Sequence, residues 1–268
     1  MIPKIIHYSW ISTDPKPELV QRCMRTWQKM LPDYEVMLWD AKRIEEIRCE
    51  FVDEAIRVRK WAFAADYVRV FAVHKYGGIW LDSDVEVFKS FDDLLENRLF
   101  IGQEASTFFS FNTAFKETHL TSHCFGAEPN HPFMKLCVDY YQGRHFITGT
   151  NEDLPQHMRY DMKLLPLIQS QLLQHFGYNA QACFYNKKQC VQEGICVYPS
   201  FYFDAPKSRS MKDVYCIHQC MESWGKGGVP RPRKYGTWKQ VVYWGVMDVV
   251  NFLPRLFGKE LCWCFYKW

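Results

Sequence analysis

Asp82 and Asp84 are the residues of this chain most committed to chemistry. They close the run Lys75-Tyr76-Gly77-Gly78-Ile79-Trp80-Leu81-Asp82-Ser83-Asp84-Val85-Glu86-Val87, in which a Gly-Gly turn leads into a short apolar strand. Side chains two apart on a strand point to one face, so the spacing predicts two carboxylates side by side at the strand's end. Like charges so placed repel unless a cation lies between them. A hard divalent ion held by two side chains keeps open positions, and phosphate oxygens are its usual further ligands. The pair therefore points to a metal-dependent enzyme acting on a phosphorylated substrate; the bland alternative is two carboxylates capping a turn.

Other polar residues stand where they could join such a site. Asp66 and Arg69 lie three apart on one helix face, among Ala62, Phe63, Ala64, Ala65, Val68, Val70, Phe71, Ala72 and Val73. A charge pair tolerated in such apolar surroundings is expected to bind something polar: the carboxylate suits sugar hydroxyls, the guanidinium sugar or phosphate oxygens. His218 follows a short apolar run, and an imidazole could complete a manganese or zinc site that two aspartates leave under-coordinated. Lys226, among Gly225, Gly227 and Gly228, could form a flexible basic loop over a diphosphate. Trp10 sits where the first strand ends, and a flat ring at the carboxyl end of a parallel strand could stack a nucleobase. His7, earlier in that strand, reads as a structural histidine. Glu152 and Asp153 lie in a polar loop and are weaker acceptor-side or nucleophilic candidates.

The elements that must position these groups follow an α/β order. Lys4 to Trp10 reads as a strand, Leu19 to Leu31 as a helix, Tyr34 to Trp39 as a strand and residues 41 to 58 as one helix striped by Ile44, Ile47, Phe51 and Ala55. A helix from Trp61 to Tyr76 stops at Gly77-Gly78 before the aspartate-tipped strand. That alternation predicts a mainly parallel sheet flanked by helices. Further on, Leu99–Gly102, Thr113–Phe115, Val197–Pro199, Tyr202-Phe203 and Tyr215–His218 are strand or anchor candidates, with helices over His131–Tyr141 and, despite Pro166, Lys163–Phe176.

At 268 residues, 48% hydrophobic and 24% charged, the chain is globular and long enough for one large domain. A formal charge of +3 without a dense basic stripe argues against nucleic-acid binding. Eleven cysteines at irregular spacings, with no Cys-x-x-Cys, read as reduced thiols of a cytosolic chain. The opening Met1-Ile2-Pro3-Lys4-Ile5-Ile6-His7-Tyr8 reads as a strand and not as a signal peptide. Two segments are expected, a catalytic unit over 1–229 and a basic, aromatic one over 230–268. The second carries Arg231, Arg233 and Lys234 before Trp238, Val241, Val242, Trp244 and Phe252, and Asp248 interrupts its apolar run. It could lie on an anionic bilayer or pack as a covering helix.

Three blocks taken together resemble glycosyltransferase family 32, the "DXD sugar-binding" transferases. These are Ile2-Pro3-Lys4-Ile5-Ile6-His7-Tyr8-Ser9-Trp10, Ala64-Ala65-Asp66-Tyr67-Val68-Arg69 through Asp82-Ser83-Asp84, and His218 with Ser223-Trp224. That family holds yeast initiating mannosyltransferases and bacterial capsule transferases, and is related to the glucosylating domains of large clostridial toxins. The resemblance implies a GT-A fold, a nucleotide-sugar donor (a uridine nucleotide favoured), Mn2+ or Mg2+, and transfer with retention. It also implies a glycan or lipid-linked acceptor in surface polysaccharide synthesis, at the cytoplasmic face of a bacterial inner membrane. Position by position, it implies that Trp10 stacks the base and that Asp66 and Arg69 hold the donor sugar or ribose. Asp84 is implied as the direct metal ligand, Asp82 as a contact to ribose or metal, and His218 as the completing ligand. Ser83 and Lys226 belong with the donor-binding residues, and Trp224 would close on the diphosphate. Ala65 and Trp80 stand where the family commonly has serine and tyrosine, which bears on donor preference. Dehalogenase-type phosphatases also place Asp-x-Asp after a strand. Here Glu86 departs from their signature, and two strands precede the motif. A nucleotide-sugar-binding protein without turnover is the other alternative.

Overall fold

The computed structural model describes residues 1–104, 119–180, 182, 186–204 and 211–220. Along the chain run β1 (Ile5–Ser9), α1 (Glu18–Met30), β2 (Glu35–Trp39), α2 (Ala41–Ile44), α3 (Glu50–Arg57), α4 (Trp61–Tyr76) and β3 (Gly78–Leu81). Then follow β4 (Val85–Val87), β5 (Leu99–Gln103), β6 (Leu120–Ala127), α5 (Pro132–Tyr140), α6 (Gln156–Arg159), α7 (Leu165–Leu173), β7 (Gln189–Val191), β8 (Ile195–Tyr198) and β9 (Cys216–His218).

Seven strands form one sheet in the order β2-β1-β3-β6-β5-β8-β7, and β4 pairs with β9 in a separate ribbon. β1 is parallel to β2 and β3, and β5 is parallel to β8; β6 runs antiparallel to β3 and β5, and β7 to β8. The α/β class is the expected one, and β6 and β7 alone oppose the common strand direction. The reversed strand inside the sheet, β6 between β3 and β5, adds two antiparallel ladders to this mainly common direction.

Both faces of the central sheet are covered, so β3, β5, β6 and β8 are buried along their whole length. Trp80, Ile101, Phe125 and Val197 pack on one face with Phe63, Val68, Phe133 and Leu165 of α4, α5 and α7. Ile79, Leu81, Phe100 and Cys196 pack on the other with Trp27 of α1 and with Phe91.

α4 has the predicted bounds because Gly77 ends it, at φ 65°, with its N–H on Val73 O at 2.9 Å. Gly78 follows at φ +98°, and a Cβ there would lie 2.6 Å from the Ile5 carbonyl oxygen, so the chain can enter β3 beside β1 only with glycine. His7 fixes this corner. Its Nδ1 accepts from Trp39 Nε1 at 3.2 Å, which leaves Nε2–H to donate to Gly77 O at 2.7 Å. Burial holds the ring neutral, pushed down to about 4, in keeping with a structural role.

Several expectations are corrected. Residues 41–58 form two helices, since Cys49 adopts an extended backbone between them. Ile44, Ile47, Phe51 and Ala55 are all buried nevertheless, so the stripe reported burial and not continuity. Pro166 is tolerated because α7 begins at Leu165, placing the ring in the first turn. Ser200–Tyr202 is a tight helical turn rather than a strand. Thr113–Phe115 and the segment 230–268 lie outside the described residues.

Candidate functional site

Asp82, Ser83 and Asp84 do not continue the strand, as their spacing predicted. They form the turn between β3 and β4, closed by the Val85 N–H on Asp82 O at 3.0 Å. The turn, rather than strand alternation, brings the carboxylates together. It is tied on both sides: the Asp82 N–H donates to His123 O of β6 at 2.9 Å, and the Gln219 N–H donates to Asp84 O at 3.0 Å. Because β9 pairs with β4 so that Val85 faces His218, the imidazole arrives next to Asp84, with Nε2 3.2 Å from Oδ1. One ligand atom from each of Asp82, Asp84 and His218 lies within 4.8 Å of the others. A divalent ion at about 2.2 Å from each ligand spans at most about 4.4 Å, so this mixed oxygen and nitrogen set closes on a Mn2+-sized ion with shifts of a few tenths of an ångström. Burial opposes the charge on His218, but Asp84 outweighs it and holds the imidazole well above its usual range. A metal would replace that proton.

Behind this set lies the predicted helix pair. Arg69 Nη2 is 3.2 Å from Asp66 Oδ1, and Nη1 is 3.4 Å from Asp82 and donates to Ser122 O at 2.8 Å. Both side chains of the helix pair are buried. Burial pushes the Asp66 carboxyl up to about 6; Arg69 pulls it down, and the Asp82 charge raises it further. Arg69 itself is disfavoured as a cation by burial, yet Asp82 and Asp66 more than compensate. Both groups are shifted upward, Asp66 because burial outweighs its guanidinium partner and Arg69 because two carboxylates outweigh burial.

Two contributors were missed at the level of sequence. Trp80, fully buried, donates its indole Nε1–H to Asp82 Oδ1 at 2.7 Å and carries the Arg69 guanidinium 5.5 Å from its ring centre. Its signal was the i,i+2 spacing to Asp82. His123 stacks on His218 with ring centres 4.6 Å apart and lies 3.1 Å through Nε2 from Phe203 O. It belongs to β6, a strand the sequence reading did not find.

These groups open into a cleft of about 710 Å³, lined also by Trp10, Ser83, Trp61, Glu104 and His119. That volume suits a nucleotide-sized ligand. Trp10 stands one residue past β1, its indole N–H on Asp14 O at 2.9 Å and the Lys16 ammonium 5.5 Å from its ring centre. Glu152 and Asp153 are exposed and do not line the cleft. Trp224 and Lys226 lie outside the described residues.

The family model described as capsular polysaccharide synthesis protein matches residues 1–156, which hold Trp10, Asp66, Arg69, Asp82 and Asp84 but not His218. Inositol phosphoceramide mannosyltransferase 3 of Schizosaccharomyces pombe is 30% identical over 141 residues, 51% of this chain and 36% of its own length. A mannosyl phosphorylinositol ceramide synthase of Saccharomyces cerevisiae is 28% identical over 137 residues, 50% of this chain and 33% of its own. The chain spans only about a third of the length of these two relatives. An uncharacterized glycosyltransferase of Acanthamoeba polyphaga mimivirus is 27% identical over 138 residues, 49% of this chain and 52% of its own. Among solved structures, the PaToxG glycosyltransferase aligns over 65% of this chain and 69% of its own, at 18% identity and a TM-score of 0.42. The galactosyltransferase LgtC with donor and acceptor sugar analogs aligns over 91% and 95%, at 12% identity and a TM-score of 0.41.

Proposed function

The chain belongs to the capsular polysaccharide synthesis protein family, and on that footing we propose that it is a metal-dependent glycosyltransferase. It moves a hexose or N-acetylhexosamine from a nucleotide-diphosphate sugar to a hydroxyl of a glycan or lipid-linked acceptor, with retention at the anomeric carbon. One observation carries this reading. A metal-competent set (Asp82, Asp84, His218) and a buried carboxylate–guanidinium pair (Asp66, Arg69) meet at the carboxyl end of β3, in a cleft that Trp10 also lines at the end of β1.

In this reading Asp84 and His218 hold Mn2+ or Mg2+ directly, with Asp82 contacting it or the ribose. The ion, when bound, supplies Lewis-acid stabilisation of the charge on the departing diphosphate. Trp10 stacks the base at the rim of the cleft. Asp66 accepts hydrogen bonds from sugar hydroxyls, and Arg69 fixes both carboxylates while its remaining Nη2 N–H reaches a sugar oxygen. Ser83, between the aspartates, lies within reach of the diphosphate. Lys226 and Trp224 are proposed to close over it from the C-terminal side. The acceptor hydroxyl attacks from the face the diphosphate leaves. For a phosphatase Asp82 would have to be a free nucleophile, whereas Trp80 and Arg69 engage its oxygens.

Mannose is the first sugar to test, since the named yeast relatives are mannosyl-transferring proteins; uridine and guanosine donors both belong in the panel. Two of those relatives are named for phosphoceramide lipids, so lipid-linked acceptors come first. Among the described residues no helix is long and apolar enough to cross a membrane. Peripheral docking through residues 230–268 remains part of the proposal, tested by liposome flotation with and without the residues after Pro230. A bacterial inner-membrane face has no support in relatives from two yeasts and a virus. The deciding experiment screens nucleotide sugars for Mn2+-dependent release of nucleoside diphosphate. Asp84→Ala should abolish it, and full activity in that variant refutes the site. Donor binding without release, for any acceptor supplied, would favour a binding protein.

A further inference from the structure

The outermost hairpin of the sheet, β7 and β8, turns through Gln192-Glu193-Gly194, away from the cleft. Its register sets Cys190 directly opposite Cys196. Directly opposed residues of an antiparallel ladder share a face, with Cα atoms about 4.5 or 5.5 Å apart, and a disulfide takes Cα separations of about 4.4–6.8 Å. The two Sγ atoms already lie 2.9 Å apart. The hairpin is held without them: Arg98 Nη1 is 2.7 Å from Glu193 Oε2, His131 Nε2 is 3.1 Å from Glu193 O, and Lys188 Nζ donates to the Tyr198 hydroxyl at 3.2 Å. Bond formation therefore asks no rearrangement of the backbone.

We propose that Cys190 and Cys196 are a reversible disulfide site at the sheet edge, exchanged by small disulfides of the glutathione class. Cys190 is exposed and Cys196 is buried, and burial, with the adjacent Cys190, pushes the Cys196 thiol up to about 11. Cys190 is thus the thiol that meets the oxidant. Its thiolate attacks one sulfur of glutathione disulfide and expels a first glutathione thiolate. The Cys196 sulfur then attacks Cys190 Sγ in the mixed disulfide and expels the second. Two protein thiols and one glutathione disulfide become one protein disulfide and two glutathione thiols, and the two protons pass to the latter.

The site is selective for a structural reason. Cys124 and Cys216 also face one another, but both are buried, where an oxidising thiol does not reach. Residues 191–195 are all that separate the pair, so the bond closes a short loop and stabilises the fold less than a bridge across a long loop would. An exposed bond at the sheet edge is readily reduced again. The pair reports the redox poise of its surroundings while leaving the cleft as it is.

The test equilibrates the full chain in glutathione buffers from reducing to oxidising, quenches in acid, alkylates free thiols and maps the peptides by mass. As the disulfide fraction rises, the peptide carrying both residues should lose two hydrogens and cease to take alkyl groups, and it should recover on reduction. In Cys190→Ser, Cys196 should stay alkylatable at every ratio, with Cys196→Ala as the reciprocal control should the first variant fail to fold. Both thiols alkylated at the most oxidising ratio would overturn the proposal. So would a persistent glutathione adduct on Cys190, or a bond from either residue to another cysteine.

Discussion

Trp80→Phe separates the indole's hydrogen bond from its packing. The indole Nε1–H on Asp82 Oδ1 is 2.7 Å long, and the ring also underlies the Arg69 guanidinium. Phenylalanine keeps an aromatic face beneath the guanidinium and removes the donor. A hydrogen bond to a charged acceptor is worth about 1.5–3 kcal/mol, and about 1.4 kcal/mol is a decade in affinity. If Asp82 faces the ion, its loss should weaken metal binding about 10- to 100-fold, the range seen when a partner behind a metal ligand is removed. The smaller ring also leaves a gap in the core, costing about 1–2 kcal/mol of stability. Two measurements keep these effects apart. Free Mn2+ measured by electron paramagnetic resonance gives affinity without turnover, and thermal unfolding in chelator gives stability without metal. The expected result is a 10- to 100-fold (about 1.5–3 kcal/mol) rise in the Mn2+ dissociation constant, with maximal nucleoside diphosphate release largely restored at saturating Mn2+. An unchanged Mn2+ affinity beside a lowered unfolding midpoint would make Trp80 a packing residue only and refute the reasoning.

Arg69→Lys keeps the charge but cannot reach Asp66, Asp82 and the Ser122 carbonyl at once, so it should cost roughly 2–3 kcal/mol in urea unfolding and raise the KM for donor. Asp66 gives a pH signature. Its carboxyl titrates at about 6 in the folded chain against 3.8 as the ordinary value, so across that window the folded state holds a proton the unfolded chain has released. Stability should therefore fall as pH rises from about 4 to about 6, by about 3 kcal/mol in total, and level off above. Urea titrations across this range should show the slope, and Asp66→Asn should remove it. Gly78→Ala forces a Cβ to 2.6 Å from the Ile5 carbonyl oxygen at a positive φ. It should lower stability by at least about 3 kcal/mol, read as a fallen unfolding midpoint or loss of soluble protein.

Where one face or both faces of an element are uniformly apolar, the sequence made the element plain. The helix over Trp61–Tyr76 has the bounds its pattern predicted, and β1, β2, β5, α1 and α5 differ from expectation by one or two residues at an end. Asp66, Arg69, Asp82, Asp84 and His218 were all marked by residue type, and all five meet. What stayed hidden was long-range. Periodicity cannot say that 41–58 breaks at Cys49, because the buried stripe continues across the gap. Nor does i,i+2 spacing distinguish a strand end from a turn. β6 was missed because Thr121-Ser122-His123 reads as a polar loop, although every residue of the strand is buried.

That polar run is what a reversed strand at this place requires. Were β6 parallel to β3, its own carboxyl end would lie beside Asp82. Antiparallel pairing with β3, Leu81 against Cys124, instead brings its amino-terminal half past the end of β3. The Ser122 carbonyl then accepts from Arg69, the His123 carbonyl accepts from the Asp82 N–H, and the His123 ring lies flat on His218. Each contact answers a particular demand. A buried guanidinium shared by two carboxylates still has N–H groups to satisfy, and a neutral carbonyl does so without drawing charge from either aspartate. The turn bearing both aspartates needs an anchor that leaves their side chains facing the cleft, and the backbone of a neighbouring strand supplies it. His218 carries a proton held by Asp84, so the ring stacked on it should be neutral; burial first, then the His218 charge, lowers His123 in that direction. A uniformly apolar strand could fill the same place in the sheet, but its side chains could not put a neutral imidazole beside a metal-competent one. The residues that concealed β6 in the sequence are thus among those that hold the candidate site in shape.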